Sequence, residues 1–205
     1  MRHVVSLIVI LLALIPAHAQ KKGWIKLFDG KTLDGWRVGA NASSFSVQDG
    51  AIVVFGPRAH LFYVGDVEGA NFKNFEYKAK VMTMPGANSG MYIHTEYQED
   101  GWPEKGHEIQ VNNSHTDWRR TASVYGIQDV REAPARDEKW FTQHIIVQGN
   151  KITVKIDGKV VNEYVEPDDR KGQPRSLSSG TFALQAHDPE SKVYYKDIMV
   201  KILPD

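Results

Sequence analysis

The sequence contains no cysteine, no excess of charge and almost no pattern typical of helices. Without cysteine the chain can form neither disulfide bonds nor a thiolate nucleophile, so packing must hold its core together. Lysine and arginine together number 25, as do aspartate and glutamate, and no basic block is present. Nucleic acid is therefore a poor candidate partner, because its binding depends on clustered positive charge that neutralises phosphates.

Long hydrophobic runs are also absent beyond the first residues. A basic start, an apolar run over residues 4–15 and the triplet Ala17-His18-Ala19 are typical of a secretory signal. The run is too short to span a bilayer, which takes about 20 apolar residues. The sequence therefore predicts an exported protein, periplasmic or extracellular, with no membrane segment after residues 1–19 are removed. Residues 20–205 suit one domain, since neither a linker nor a repeat divides them.

Alternation of apolar and polar residues dominates the chain from residue 45 onward. The alternating stretches are residues 45–55, 75–84, 89–97, 107–112, 141–149, 151–165, 180–187 and 192–203. This period of two is that of β-strands, and Asp157-Gly158 is a strong hairpin signal because both turn positions need positive φ. The pattern predicts an all-β domain, a jelly-roll β-sandwich of two antiparallel sheets, although a barrel fits the same pattern.

Four longer irregular segments separate these stretches, namely residues 56–71, 98–105, 114–124 and 166–179. Connections of this length run over the surface and commonly carry functional side chains. We expect them to lie at the ends of the sheets and to form the walls of a site.

Three of the alternating stretches have a polar face of unusual composition. These faces carry Glu108, Gln110 and Asn112 in the first stretch, Tyr92, His94 and Glu96 in the second, and Gln185 and His187 in the third. A solvated sheet face usually carries lysine, glutamate and threonine instead, as Glu76, Lys78 and Lys80 do in this chain. The contrast indicates that the three faces do more than meet water.

We interpret Glu108, His94 and His187 as candidate catalytic residues, because convergent titratable groups in a concavity are what a reacting centre needs. The alternative is that each is a satisfied polar residue beneath a loop. Asp188 either orients His187 or caps the turn at Pro189. Tyr92, Gln185, Gln110 and Asn112 complete the polar faces and are candidate substrate-binding residues.

Loop residues supply further candidates. Trp102 and Trp118 could stack on the apolar face of a sugar, and Arg58, Arg119 or Arg120 could bind its oxygens. The alternative is that the tryptophans pack against their own loops and that the arginines are solvated.

The sequence resembles the secreted 3-keto-disaccharide hydrolase family, also described as 3-keto-glucoside 1,2-lyase and 3-keto-2-hydroxy-glucal hydratase. The resemblance rests on GWIKLFDGKTLDGWRV, NFKNFEYKAKV, NSGMYIHTEYQEDGWPEKGHEIQVNN, WFTQHIIVQGNKITVKIDGKVV and GTFALQAHDPESKVYYKDIMVKIL, which follow the family's order over nearly all of residues 20–205. It implies a concanavalin A-like sandwich, activity on small-molecule or oligosaccharide substrates oxidised at C3, and a functional link to a sugar 3-oxidase. The family often carries arginine where this chain has His94.

The strand at residues 107–112 is informative about the reaction. Sandwich glycosidases of the glucanase type carry an E-x-D-x-E strand, because their route needs two carboxyl groups. Here the same spacing reads Glu108-x-Gln110-x-Asn112, which leaves one carboxylate. One base suffices for a different reaction, in which a ketone at C3 acidifies the C2 proton, the C1 substituent leaves by elimination, and water adds to the enone. Either Glu108 or His94 would be the base, with His187 or the other residue as acid.

The sequence requires no cofactor. A divalent metal is possible, because two imidazoles and a carboxylate are ordinary ligands, but no local spacing assigns them. Two other functions remain open at this point. One is a non-catalytic carbohydrate-binding sandwich, and the other is a conventional glucanase that acts on unoxidised glycans.

Overall fold

The computed structural model describes residues 23–205, so the signal predicted at residues 1–19 lies outside the described residues. The strands are β1 (Ile25–Lys26), β2 (Trp36–Val38), β3 (Phe45–Gln48), β4 (Ala51–Phe55), β5 (Ala59–Tyr63), β6 (Phe75–Thr83), β7 (Asn88–Thr95), β8 (His107–Asn112), β9 (Phe141–Gln148), β10 (Lys151–Ile156), β11 (Lys159–Val165), β12 (Thr181–Ala186) and β13 (Lys192–Ile202). Short 3-10 segments lie at Ala42–Ser44, Val67–Ala70 and Asp168–Arg170. In the described part of the chain, no helix has the length and apolar character needed to cross a membrane.

The strands form two antiparallel sheets, as the sequence predicts. The larger sheet has the order β11-β10-β9-β6-β13-β4-β3, with β1 paired to the C-terminal part of β13. The smaller sheet has the order β2-β5-β12-β7-β8. The predicted hairpin at Asp157-Gly158 joins β10 to β11, and both residues have positive φ, 47° and 81°. The prediction of a jelly-roll sandwich is confirmed.

The core lies between the two sheets. One continuous cluster of buried apolar residues draws on both of them, including Tyr77 and Ile145 from the larger sheet and Ile109 and Leu184 from the smaller. Phe182 of β12 stacks on Tyr77 of β6 with ring centroids 4.1 Å apart. The inner face of the smaller sheet packs against the larger sheet. Polar residues of the smaller sheet therefore point to its outer face.

One segment predicted to be irregular contains a strand. β5 lies within residues 56–71, and its five residues, AHLFY, are all buried. Loops cover the outer face of this strand, so both of its faces carry large or apolar side chains and the alternation that marks a half-exposed strand is missing. The prediction of an irregular segment was wrong at this position.

The alternation along the chain predicts that His94 lies on the polar face of its strand, and this prediction is wrong. Along β12 the pairing with β7 steps from Thr181↔Thr95 to Ala183↔Tyr92, so two residues of β7 lie opposite one residue of β12. The extra residue forms a bulge in which His94 has φ 52°. The bulge reverses the side to which the following residues point, and the His94 ring packs edge-on against Phe75 of the larger sheet.

Candidate functional site

A cleft of about 550 Å³ lies on the outer face of the smaller sheet. Strands β7, β8 and β12 form its floor, and three loops with the turn after β12 form its walls. The lining residues are Asn88, Tyr92, Trp102, Pro103, Glu104, Glu108, Gln110, Tyr125, Pro174, Arg175, Gln185 and His187. The volume suits a sugar-sized ligand.

Glu108 is the carboxylate of the floor, and neighbouring strands hold both of its oxygens. The Tyr92 phenol donates to Oε2 at 2.9 Å, and the Gln185 amide donates to Oε1 at 3.1 Å and reaches the Tyr92 oxygen at 3.0 Å. When the Gln110 amide is oriented so that both its oxygen and its nitrogen have partners, the nitrogen donates to Oε1 of Glu108 at 2.9 Å. The period-two pattern brings these four residues together because each sits on the outward parity of its strand.

Gly90 of β7 makes room for this carboxylate. A Cβ atom at position 90 would lie 2.6 Å from Oε1 of Glu108 and 2.8 Å from its Cγ. The Glu108 side chain therefore lies flat over the backbone of the neighbouring strand. Glycine is required here for close approach, since the position needs no unusual φ.

The surroundings of Glu108 prepare it to exchange a proton near neutrality. Burial raises the pKa of Glu108 to about 7, although hydrogen bonds from Tyr92 and Gln185 and the charge of Arg175 oppose that rise. The same burial, together with the neighbouring Glu108 charge, raises the pKa of Tyr92 well above its usual range. Glu108 is thus able to take up or release a proton near neutral pH, and Tyr92 is a fixed neutral donor.

His187 and Asp188 form a second acid-base element at one end of the cleft. Nδ1 of His187 lies 2.7 Å from Oδ2 of Asp188, which also accepts the Ser191 hydroxyl at 2.8 Å. These bonds and two backbone N–H groups hold the pKa of Asp188 below its usual range despite burial. An ionised Asp188 accepts a hydrogen bond from the Nδ1–H group, which leaves Nε2 of His187 as the nitrogen that can exchange a proton with a ligand.

One group of side chains could hold a metal ion. Ligand atoms of His115, His187 and Asp188 lie within 4.8 Å of one another. The hydrogen bonds favour another arrangement, because Nδ1 of His115 accepts the backbone N–H of Asp117 at 3.0 Å. In the neutral ring the proton is then on Nε2, which faces Asp188 at 3.9 Å and has no lone pair free for a metal. His115 is thus better suited to support Asp188 than to bind a cation.

Aromatic and proline side chains form the upper walls. Trp102, from the loop between β7 and β8, lies 5.4 Å from the His187 ring and 5.7 Å from the His60 ring. Tyr125 and Pro174 come from the loops that follow β8 and β11. Flat apolar surfaces above a polar floor are typical of sugar-binding clefts, in which rings stack on C–H faces.

Six residues predicted from the sequence meet in this cleft: Glu108, His187, Tyr92, Gln110, Gln185 and Trp102. They come from strands β7, β8 and β12, from the turn after β12 and from one of the expected loops. The sequence predicted that a lone acid and two imidazoles share one hollow, and the structure brings Glu108 and His187 together there but not His94.

His94, the third candidate catalytic residue, lies elsewhere. Its Nε2 donates to the Lys73 carbonyl at 2.9 Å, and its Nδ1 accepts the Ser178 N–H at 3.1 Å. Burial lowers the pKa of His94 to about 4, so the ring is neutral. The bulge in β7 turns His94 away from the cleft, where it instead secures the loop between β11 and β12.

Three candidate binding residues are also outside the lining. Asn112 donates to the carbonyls of Asp117 and Arg119 and thereby shapes the loop after β8. Trp118 is exposed, with the guanidinium groups of Arg119 and Arg131 over its ring. Arg58 forms an exposed salt bridge of 3.1 Å with Asp100, behind Trp102. Arg119 and Arg120 likewise bind acceptors of their own loop.

Other lining residues were not anticipated from the sequence. Arg175, Pro174, Tyr125 and Glu104 lie in loops, where no periodicity assigns a direction to a side chain. Asn88 begins β7 and could have been found by extending its alternation two residues before Gly90. The loops that contain residues 98–105 and 166–179 were predicted to border a site, and both contribute walls.

Comparison with known proteins identifies the family. The sequence profile of the 3-keto-alpha-glucoside-1,2-lyase-like domain matches residues 23–201. No curated protein sequence matches the chain.

Solved structures share the fold. A candidate glycosyl hydrolase from Parabacteroides distasonis superimposes with a TM-score of 0.73 at 23% identity, over 89% of this chain and 94% of that one. A second such protein from the same organism gives 0.67 at 20% identity, over 88% of this chain and 100% of that one. A carbohydrate-binding module from Bacillus subtilis gives 0.58 at 12% identity, over 82% and 95%. At these identities the likeness extends to the fold alone.

The family model covers almost the whole described chain, and the family supports a sugar-acting enzyme in general. The chain belongs to the 3-keto-alpha-glucoside-1,2-lyase-like domain family.

Proposed function

We propose that the protein cleaves 3-keto-glycosides by elimination across C1 and C2, followed by hydration of the enone. The observation that carries this proposal is the single carboxylate on the cleft floor, Glu108, held by neutral donors and with a pKa of about 7. The other lining carboxylate, Glu104, is an exposed residue of the rim. A base without a second carboxyl on the floor suits proton removal better than it suits a glycosyl-cation route.

The first step is removal of the C2 proton by Glu108. The C3 ketone makes this proton acidic, since the electron pair of the C2–H bond moves into an enolate. Ionised Glu108 accepts the proton on one of its oxygens and becomes the neutral acid. A base with a pKa near the working pH is effective in both directions of such a transfer.

The second step expels the substituent at C1. The enolate re-forms the C3 ketone, a double bond forms between C1 and C2, and the bond from C1 to the leaving oxygen breaks. The imidazolium form of His187 protonates that oxygen from Nε2 and keeps its second proton on Nδ1, which is hydrogen-bonded to Asp188. Of the two alternatives for the base, Glu108 or His94, the proposal thus takes Glu108, with His187 as the acid.

Hydration completes the net hydrolysis. Water adds to C1 of the enone, His187 takes its proton, and Glu108 returns a proton to C2. Gln110 and Gln185 hold Glu108 in place for both half-reactions. Neither step requires a metal ion, so we expect activity to survive treatment with EDTA.

The context of the reaction is part of the same proposal. The substrate must be supplied by an enzyme that oxidises a sugar at C3, which we take to be a functional partner. The basic and apolar character of residues 1–19 supports export to the periplasm or beyond.

The test compares one glycoside before and after oxidation at C3. We expect release of the aglycone from the oxidised compound alone, with an enone absorbance that rises and then decays. The Glu108→Gln variant should bind the oxidised compound and lose about 10²–10⁴-fold in turnover, the range for loss of a general base. Equal cleavage of the unoxidised glycoside would contradict the proposal and favour a conventional glucanase.

A carbohydrate-binding role is the second candidate, because the sandwich is shared with a carbohydrate-binding module. Binding of an unoxidised glycan by the wild type, with no turnover of the oxidised glycoside and only a modest loss of affinity in Glu108→Gln, would favour that role.

A further inference from the structure

Arg175 brings a permanent positive charge into the cleft. Among the lining residues that the structure describes, the other charged or titratable groups are carboxylates, tyrosines and His187. Burial raises the pKa of both Glu108 and Tyr92, and the Arg175 charge opposes that rise at both groups. An arginine so placed offers several N–H donors to a ligand oxygen.

The guanidinium is held beside the edge of the floor, because the Tyr125 backbone pairs with β8 through a 3.0 Å hydrogen bond from its N–H to the Glu108 carbonyl. Nη2 of Arg175 donates to the Tyr125 carbonyl at 2.6 Å, whereas the oxygens of Glu108 are occupied by donors of the sheet. Arg175 comes from the loop between β11 and β12 and Glu108 from the floor, and both line the same cleft. A sugar bound there can contact the base and the cation together.

The loop that carries Arg175 is built to hold this position. Arg175 has φ 58°, a left-handed conformation that is unfavourable for a residue with a side chain. Arg170 donates to the Arg175 carbonyl at 3.2 Å, which stabilises that turn. Backbone strain retained in a loop at a cleft is typical of functional positions.

Buried side chains of the sandwich anchor the same loop. Both oxygens of Glu166 accept the Leu177 N–H, at 2.9 and 3.0 Å, and Nε2 of His107 lies 3.0 Å from Oε2 of Glu166. His94 accepts the Ser178 N–H one residue further on. These contacts fix the segment just after Arg175 to β7 and β8, the strands that carry Tyr92 and Glu108.

We propose that Arg175 is a catalytic residue that binds the C3 oxygen of the substrate and stabilises the oxyanion formed there. This inference rests on the function proposed above. When the C2–H bond breaks, the proton goes to Glu108 and the electron pair moves to the C3 oxygen, so one negative charge moves from the floor to the substrate. Arg175 favours that movement because its guanidinium lines the same cleft and attracts the negative charge that forms on the C3 oxygen.

The experiment separates proton removal from bond cleavage. Methyl 3-keto-α-glucoside in D₂O exchanges its C2 proton whenever the enolate forms, and NMR follows that exchange even if the methoxyl group leaves slowly. The variants are Arg175→Met and Arg175→Lys, with Arg131→Met as the matched control, because Arg131 is exposed on Trp118 outside the cleft.

We expect Arg175→Met to lower the exchange rate at saturating substrate by about 10²–10³-fold, the range for loss of one oxyanion donor. Arg175→Lys should recover part of that rate, and added guanidinium ion should accelerate Arg175→Met but not the wild type. Arg131→Met should exchange at the wild-type rate. A rise in KM with unchanged exchange at saturation would overturn the proposal, because it would show that Arg175 only binds the sugar. Exchange by Arg175→Met within about threefold of the wild type would overturn it as well. If the wild type itself neither exchanges nor cleaves 3-keto-glycosides, the proposed function fails first.

Discussion

The Tyr92 phenol donates a 2.9 Å hydrogen bond to Oε2 of Glu108, and these residues face each other directly across the β7–β8 pair. A donor stabilises the ionised carboxylate more than the neutral acid, so this bond opposes the effect of burial on the Glu108 pKa. The pair thus sets the pH at which the proposed base becomes active.

Activity should follow the ionisation of Glu108. We expect kcat/KM for a 3-keto-glycoside to rise with pH through about 7, because the base must be ionised to accept the C2 proton. Removing the donor in Tyr92→Phe should move this limb to higher pH by about one unit or more. The control is Tyr97→Phe, whose hydroxyl binds Glu99 in an exposed loop. An unshifted limb in Tyr92→Phe would show that another group controls the rate.

Stability should show the cost of burying this acid. A carboxyl whose folded pKa is about 7 and whose usual value is 4.5 contributes stability that is complete below pH 4.5 and is lost as the pH rises through 7. Glu108→Gln removes the ionisation, so we expect it to be more stable than the wild type by about 3 kcal/mol above pH 8. Below pH 4.5 the two proteins should be alike. Chemical denaturation at several pH values measures this, and a pH-independent difference would contradict it.

Asp188 should affect turnover because it holds a proton on Nδ1 of His187. In Asp188→Asn the new amide can donate to Nδ1, which would move the ring proton to Nε2 and remove the productive tautomer. We expect turnover to fall by about 10²–10⁴-fold with little change in KM. Asp197→Asn is the control, since Asp197 pairs with Lys80 on the larger sheet. A large rise in KM with unchanged kcat would assign Asp188 to binding instead.

The close approach of Gly90 to Glu108 gives a test of position. In Gly90→Ala the new Cβ would meet Oε1 of Glu108 at 2.6 Å, so the carboxylate must shift. A misplacement of about 1 Å can cost about 10²-fold in rate, and we expect a loss of that order. Gly23→Ala should have no effect, because open space surrounds that position. Wild-type kinetics in Gly90→Ala would show that the position of Glu108 is not critical.

Alternation along the strands predicted the sandwich and most of the cleft floor, because parity alone decides which side chains share a face. Tyr92, Glu108, Gln110 and Gln185 follow from that rule. His94 does not follow this rule, because one extra residue in β7 reverses the alternation at that point. The bulge depends on contacts distant in sequence. A Cβ at Gly106 would lie 2.1 Å from the Ile93 carbonyl oxygen, and one at Gly180 would lie 2.3 Å from that of Thr95.

The walls of the cleft could not be predicted in the same way. Arg175 points into it because Tyr125, Arg170 and the anchored residues after it fix one loop conformation. Residues 171–175 have no periodicity, so their sequence indicates a loop without a direction. Asn112 was predicted wrongly for a different reason. Its strand position is on the expected face, but its amide donates to the carbonyls of the neighbouring loop and not to the cleft.

The fate of the hydrogen at C2 tests the elimination route most directly. A 3-keto-glycoside is cleaved in D₂O, the reaction is stopped early, and NMR examines C2 of the released sugar against a sample without enzyme. Elimination moves the original proton to Glu108, whose carboxyl exchanges it with D₂O while the enone is bound, so hydration delivers deuterium and we expect it at C2 in most released molecules. Complete retention of protium at C2 in the released sugar would contradict the proposed mechanism.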